Sequence, residues 1–506
     1  MNKQAFFRNT AVMTASSLLL RLFGILFRIF ISNRVGAEGM GLYQLVFSVY
    51  VLGATFATGG IVTAVTRLAA EHLAKSDRAA LERLMRISSL LCLLVGGVSA
   101  LALWAGAPLI GGWIGDARAV PAVAVSGIAL PFIGVSSCIK GYFMARRRAW
   151  PPCLSQILEQ AVRIGGILGM LGTLWDGSLT QACVIIILGD ALSETVACLY
   201  LLGAYRRDVR RQPIPQDLAP GRKCKLLQPL LYIAVPLTAG RYLSTGLRTV
   251  ENILVPARLT LYTRSDALSL AQFGAVKGMA LPLIFFPSAL LMTLSSLLIP
   301  ELSDAHALKQ GRQVTRLVER ALHVTLLGSV LVGGLFTVLG QRLGTLLYND
   351  PLVGLLLQIL GPLTPVMYLD SVVTGMLKGL GQQVHSLWFS VADSGVRIAL
   401  IWFLLPRYGL VGFLFVMLVS NLLTATLSTG RLLAVSHTDM QWGRWLVRPG
   451  LAAVAAGFLC RLVPARSDIA YVLIAGGLFT LLYGLLLPVL RCFSREDLRQ
   501  LTLRKA

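Results

Sequence analysis

Apolar runs of about 20 residues, parted by short clusters of arginine and lysine, recur along nearly the whole chain. A helix of that length crosses a hydrocarbon core of about 30 Å, and inside lipid only helices and closed barrels satisfy their own backbone. Composition supports the same reading. Of 506 residues, 56% are hydrophobic and 14% charged, with a mean hydropathy of +0.72. That balance excludes a water-soluble enzyme, a secreted domain and a disordered chain.

The sequence therefore reads as an all-α, multi-pass membrane protein of about fourteen helices. They are placed near 10–33, 42–69, 85–107, 121–145, 152–174, 180–204, 228–255, 270–299, 320–341, 352–377, 386–405, 409–434, 446–463 and 469–490. Arg21 and Arg28 interrupt the first run and no small-residue cleavage site follows, so it is read as a retained helix, not a signal peptide. The eight cysteines show no CxxC and no ligand spacing with the five histidines, so neither a disulfide framework nor a metal site is expected.

The net charge is +23, which in a soluble protein would suggest a nucleic-acid partner. Here the basic residues sit between apolar spans. With the N-terminus inside, 30 of the 46 Lys+Arg fall on the cytoplasmic side and eight (Arg34, Arg118, Arg258, Arg264, Arg342, Arg407, Arg461, Arg466) outside. This imbalance places both termini in the cytoplasm and makes the lipid bilayer, not nucleic acid, the expected partner. Eight cations remain within or near spans: Arg21, Arg28, Lys140, Arg163, Arg241, Arg248, Lys277 and Arg397.

The chain also matches itself. At an offset of 234, Asp116 aligns with Asp350, Pro131 with Pro365, Gly141 with Gly375, and Glu159-x-x-x-Arg163 with Asp393-x-x-x-Arg397. At an offset of 220, Arg21 and Arg28 align with Arg241 and Arg248. Two six-helix lobes in parallel repeat follow, at 1–205 and 229–435, joined by a Pro-interrupted basic linker at 206–228. Residues 436–506 add a helix pair and a cytoplasmic tail.

An arginine at the bilayer centre costs roughly 2.5–3.5 kcal/mol, so these charges are expected to face protein or a wet cavity. Residues seven apart share a helix face, so Arg21 with Arg28 and Arg241 with Arg248 can line one central cleft suited to phosphate or pyrophosphate. Snorkelling of Arg28 and Arg248 to headgroups is the alternative. Glu159 with Arg163, and Asp393 with Arg397, are i,i+4 pairs that read as structural or coupling ion pairs. Asp190, Glu194, Glu251 and Asp370 have no local partner and are candidates for cross-helix pairing or for proton or Na⁺ coupling.

Several blocks carry a resemblance: Arg21-x-x-Gly24-x-x-x-Arg28, Gly36-x-Glu38-Gly39-x-Gly41-Leu42-Tyr43, Lys140-Gly141-Tyr142-Phe143, Ser155-Gln156-x-Leu158-Glu159-Gln160-x-Val162-Arg163-Ile164, Pro236-Leu-Thr-Ala-Gly-Arg241 and Pro300-Glu301-Leu-Ser303. Together they resemble the stage V sporulation protein B family of polysaccharide and lipid-linked oligosaccharide transporters, related to lipid II flippases in the multidrug/oligosaccharidyl-lipid/polysaccharide exporter superfamily. The resemblance implies a two-lobed, alternating-access flippase of the cell membrane. Its cargo would be an anionic polyprenyl-pyrophosphate glycan, for peptidoglycan, and it would work beside cell-wall synthesis enzymes, with a sporulation role implied by the family name. It further implies substrate-binding arginines at Arg21 and Arg28. A possible cation site falls at Glu251, Asp393 and Thr424 for Na⁺ or H⁺, with no other cofactor. A cation-coupled drug exporter and a membrane-embedded glycosyltransferase or polymerase are the competing readings. The cationic cleft weighs against the first and the short outer loops against the second.

Overall fold

A computed structural model describes residues 3–75, 77–210, 226–462 and 467–492. Among these, every regular element is helical. In chain order they are α1 (Lys3–Thr58), α2 (Ile61–Ala74), α3 (Arg78–Ile114), α4 (Val120–Ser126), α5 (Leu130–Ala145), α6 (Trp150–Thr173), α7 (Leu179–Arg210), α8 (Leu227–Thr263), α9 (Asp266–Phe273), α10 (Leu281–Phe285), α11 (Ser288–Ala307), α12 (Gly311–Tyr348), α13 (Pro351–Leu360), α14 (Thr364–Gly379), α15 (Gln383–Ser436), α16 (Arg448–Cys460) and α17 (Asp468–Val489).

Nine helical stretches among the described residues are long and apolar enough to cross a membrane. Non-helical glycines, Gly36 in α1 and Gly409 in α15, divide two of these helices into limbs. On α3 the side chains of Leu90, Leu94, Leu101 and Trp104 are largely exposed and share one face. Such a stripe would be core in a soluble protein, and here it fits a lipid-facing surface.

The repeat expected at 234 recurs in the elements themselves. α3, α5 and α6 return as α12, α14 and the first limb of α15, each start within one residue of that offset. The aligned aspartates are matched caps. Asp116 Oδ1 accepts from Arg118 N–H at 2.9 Å and Asp350 Oδ1 from Leu352 N–H at 2.8 Å, each satisfying a donor that a helix start leaves orphaned. Further on, a 3₁₀ turn at Gly127–Ala129 and its counterpart at Gly361–Leu363 lead into Pro131 and Pro365, which stand in the first turns of α5 and α14 where a missing N–H costs nothing.

Beyond these 3₁₀ turns, hydropathy overlooks two further interruptions. The expected helix over 42–69 breaks at Gly59 and Gly60, between α1 and α2. The expected helix over 270–299 is two, because the chain turns at Phe286 and Pro287; the first part, Asp266–Phe285, contains a π-helical segment at Gly274–Ala280. Apolar residues continue through both breaks, so the runs read as unbroken.

By packing, the chain forms two compact units, Met1–Phe27 with Val35–Gly274, and Arg28–Arg34 with Ala275–Ala506. This division does not follow the repeat, since α8 heads the second copy in sequence yet packs within the first unit on α2, α3 and α9. The first unit's core gathers Leu84, Ile139, Tyr142, Phe143, Leu201 and Leu230. In the second, Val318, Leu322, Val373, Leu377 and Leu432 do the same.

The C-terminal pair packs on α12: Phe479, Tyr483 and Ala456 meet Val330 and Leu339, and the Tyr483 hydroxyl donates to Leu327 O at 2.9 Å. Of the expected linker, the ends are helical, since α7 runs to Arg210 and α8 begins at Leu227. Residues 211–225, and the tail at 493–506, lie outside the described residues.

Candidate functional site

In the first unit, α6 presents Glu159 and Arg163 one turn apart, and α7 presents Asp190 and Glu194 in the same way. Arg163 Nη2 lies 2.8 Å from Glu159 Oε1, while its Nε lies 2.7 Å from Asp190 Oδ1. Gln160 Oε1 accepts from Arg163 Nη1 at 3.2 Å. Glu194 and Lys140 of α5 belong to the same electrostatic neighbourhood. The Glu159–Arg163 pair expected from spacing is therefore present, extended across helices by Asp190.

The second unit holds the equivalent pair in simpler form. Arg397 Nη2 lies 2.9 Å from Asp393 Oδ2 and donates to Ser420 Oγ at 2.6 Å, while the Ser420 hydroxyl donates to Asp393 Oδ1. Asp393 and Arg397 lie before Gly409 and Ser420 after it, so the network joins the two limbs of α15. Sequence reasoning missed Ser420, and its one available signal was a hydroxyl inside the apolar run 409–434.

The proposed cation set is not gathered in one unit. Asp393 and Thr424 belong to the second, and buried Glu251 to the first. Thr424 Oγ1 donates along its own helix to Ser420 O and Asn421 O, each at 3.2 Å. Both Asp393 oxygens are already engaged, so a cation there has to compete with Arg397 or Ser420. Among the described residues no group of three or more His, Cys, Asp or Glu could hold a metal ion.

The four arginines of the expected cleft behave differently from Arg163 and Arg397. Arg21, Arg241 and Arg248 are exposed and Arg28 is half-buried. Among the described residues none of the four has a carboxylate partner. The guanidinium of Arg241 donates from Nη1 to Gly59 O at 2.9 Å. Arg28 falls in the second unit and acts electrostatically on the buried Tyr348, whereas Arg21, Arg241 and Arg248 fall in the first.

Their matched spacing is not a matched register. Arg28 precedes the break at Gly36 by eight residues, but Arg248 precedes the left-handed cap of α8, Arg264, by sixteen. Eight residues of helix are about 12 Å, so the alignment at 220 pairs like residues at unlike positions along their helices. The two remaining cations are also placed: Lys140 lies on α5 and acts electrostatically on Glu194, and Lys277 lies within the π-helical segment.

Comparison with known proteins gives consistent results. The family model described as polysaccharide biosynthesis protein matches residues 6–306. Stage V sporulation protein B of Bacillus subtilis (strain 168) is 24% identical over 423 residues, covering 81% of this chain and 80% of the relative. Among solved structures, the lipid II flippase MurJ in an inward closed conformation superposes with a TM-score of 0.73 at 12% identity, over 95% of this chain and 99% of that one. An inward-facing multidrug resistance MATE family transporter of the MOP superfamily gives a TM-score of 0.65 at 15% identity, over 85% and 100%. The fold is the one these transporters share.

Proposed function

Because this chain belongs to the polysaccharide biosynthesis protein family, we propose that it is a flippase carrying an undecaprenyl-pyrophosphate-linked glycan precursor, for peptidoglycan, from the inner to the outer leaflet. The observation that carries this reading is the set of arginines on α1 and α8 without acidic partners among the described residues: Arg21, Arg28, Arg241 and Arg248. Leaving such charges uncompensated is costly in a membrane. A pyrophosphate supplies the missing anions, and planar guanidinium groups bind its oxygens through paired, charge-assisted hydrogen bonds. The resemblance to Stage V sporulation protein B and the fold shared with a lipid II flippase support the same cargo class.

Transport, not catalysis, is the proposed activity. No rearrangement of bonds is needed to use these arginines, only their exposure first to one side of the membrane and then to the other. The excess of basic residues in alternate loops supports cytoplasmic termini. A cationic drug is repelled by the same four charges, which disfavours the drug-exporter reading.

The test is reconstitution in vesicles with a fluorescent polyprenyl-pyrophosphate glycan and a quencher on one side. Wild-type protein is expected to expose the label, and Arg21→Ala with Arg28→Ala to slow this at least tenfold. Failure to move the lipid, alongside movement of a cationic dye, would transfer the assignment to drug export.

A further inference from the structure

The break between α1 and α2 leaves four backbone polar groups to be satisfied in an apolar setting. Two are met locally: Gly59 N–H donates to Thr55 O at 2.8 Å, and Gly60 O accepts from Ala64 N–H at 2.9 Å. The other two are met from α8. Gly60 N–H donates to Thr238 Oγ1 at 2.9 Å, and Gly59 O accepts from Arg241 Nη1 at 2.9 Å. Thr238 and Arg241, three residues apart, share the helix face that reaches the break.

The approach is close enough to require glycine. At φ +22°, a Cβ on Gly59 would stand 2.0 Å from Thr238 Oγ1, and one on Gly60 would stand 2.6 Å from Ala234 O. Next to this contact is an apolar cavity of about 300 Å³, lined in part by Phe56, Ile61, Cys92, Thr238 and Tyr242. The helix limbs therefore have space to move into without compressing packed side chains.

Arg241 is the unusual part of this latch. Its side chain is exposed, and among the described residues its one partner is the neutral Gly59 carbonyl. A phosphate group is the stronger acceptor for a guanidinium, because it adds the attraction of opposite charges and offers paired oxygens for a two-pronged contact that a single carbonyl does not. We propose that Gly59 and Gly60 form a hinge held shut by Thr238 and Arg241, and that an anionic lipid pyrophosphate opens it by drawing Arg241 off the Gly59 carbonyl. The trigger rests on the reading of Arg241 as a headgroup contact; the latch does not. Arrival of the headgroup is thereby reported to the helix break.

Hydrogen–deuterium exchange of the full chain in nanodiscs, read on peptides spanning 55–65, separates these steps. Losing one ordinary hydrogen bond corresponds to about a fivefold change in an opening equilibrium, so Thr238→Val and Arg241→Gln should each speed exchange near Gly60 by about that factor, while Arg248→Gln should not. Farnesyl pyrophosphate should speed it in wild type but add nothing in Arg241→Gln, and farnesol should have no effect. Unchanged exchange in both Thr238→Val and Arg241→Gln overturns the latch. Pyrophosphate that binds, by competition with a fluorescent analogue, yet leaves exchange unchanged overturns the trigger. Absence of binding contradicts the functional reading and the trigger together, and the two variants still decide the latch.

Discussion

Arg163 of α6 reaches across to Asp190 of α7, placing its Nε 2.7 Å from the carboxylate while Nη2 holds Glu159 on its own helix. One guanidinium thus faces two acids in the first unit. In the second unit, Arg397 pairs with Asp393 and donates to Ser420 Oγ. The repeat conserves the arginine and changes what it must neutralise.

That difference predicts unequal rescue. Removing one partner of a buried ion pair typically costs about 3–5 kcal/mol, and partial exposure of Arg163 puts Arg163→Ala toward the low end, at about 3. Adding Glu159→Gln alone still leaves Asp190 without its contact to Arg163, so fuller recovery should require Asp190→Asn as well. Thermal unfolding in detergent checks this. Full recovery in the Arg163→Ala with Glu159→Gln double would mean that the contact to Asp190 carries no weight.

For Arg397 a single second change suffices. Arg397→Ala should destabilise more than Asp393→Ala with Arg397→Ala, since the double removes both charges. Ser420→Ala, which strips a hydroxyl bonded to both, should cost about 1–2 kcal/mol. Strictly additive single effects in the same melting assay would deny the pair.

How far the site was legible depends on what carried each signal. The i,i+4 pairs are local, so spacing revealed them; Asp190 and Ser420 join by helix packing, which no spacing encodes. Asp116 and Asp350 stood out as aligned residues, and the structure shows why: each caps a helix start. The breaks at Gly59-Gly60 and Phe286-Pro287 were hidden because hydropathy averages over them. Asp208 lay inside the expected linker, yet it is buried at the end of α7, accepting from Tyr142 at 2.8 Å and pairing with Arg146 and Arg148. The loop's charge had a structural use that composition could not show.

If the four arginines meet a wet pathway, they should be chemically reachable. Single cysteines at positions 21, 28, 241 and 248, in a background cleared of native cysteines, are expected to react with a membrane-impermeant thiol reagent from one side of the vesicle. Uniform protection would place them in lipid or packed protein and remove their claim on the headgroup. Reaction of Arg21→Cys alone would confine the site to α1.

If the cargo is the proposed pyrophosphate-linked lipid, the driving force has a sign that can be tested. A pyrophosphate-linked lipid is anionic and the cytoplasm is electrically negative, so outward movement of each uncompensated charge gains roughly 2.3 kcal/mol per 100 mV. Arginines that travel with the cargo's field would cancel part of this gain, but the return of the empty carrier then moves positive charge inward, also downhill. The potential therefore favours the cycle in either case. A cation bound at Glu251 or Asp393 could add to it, although at Asp393 it must displace Arg397 or Ser420. With potassium and valinomycin setting the voltage, a potential negative on the cytoplasmic-facing side should speed outward flipping of the labelled lipid, and reversing it should slow flipping. A Na⁺ or proton gradient should change the rate less than 100 mV does, and a rate that follows an ion gradient while ignoring voltage would assign the work to the cation instead.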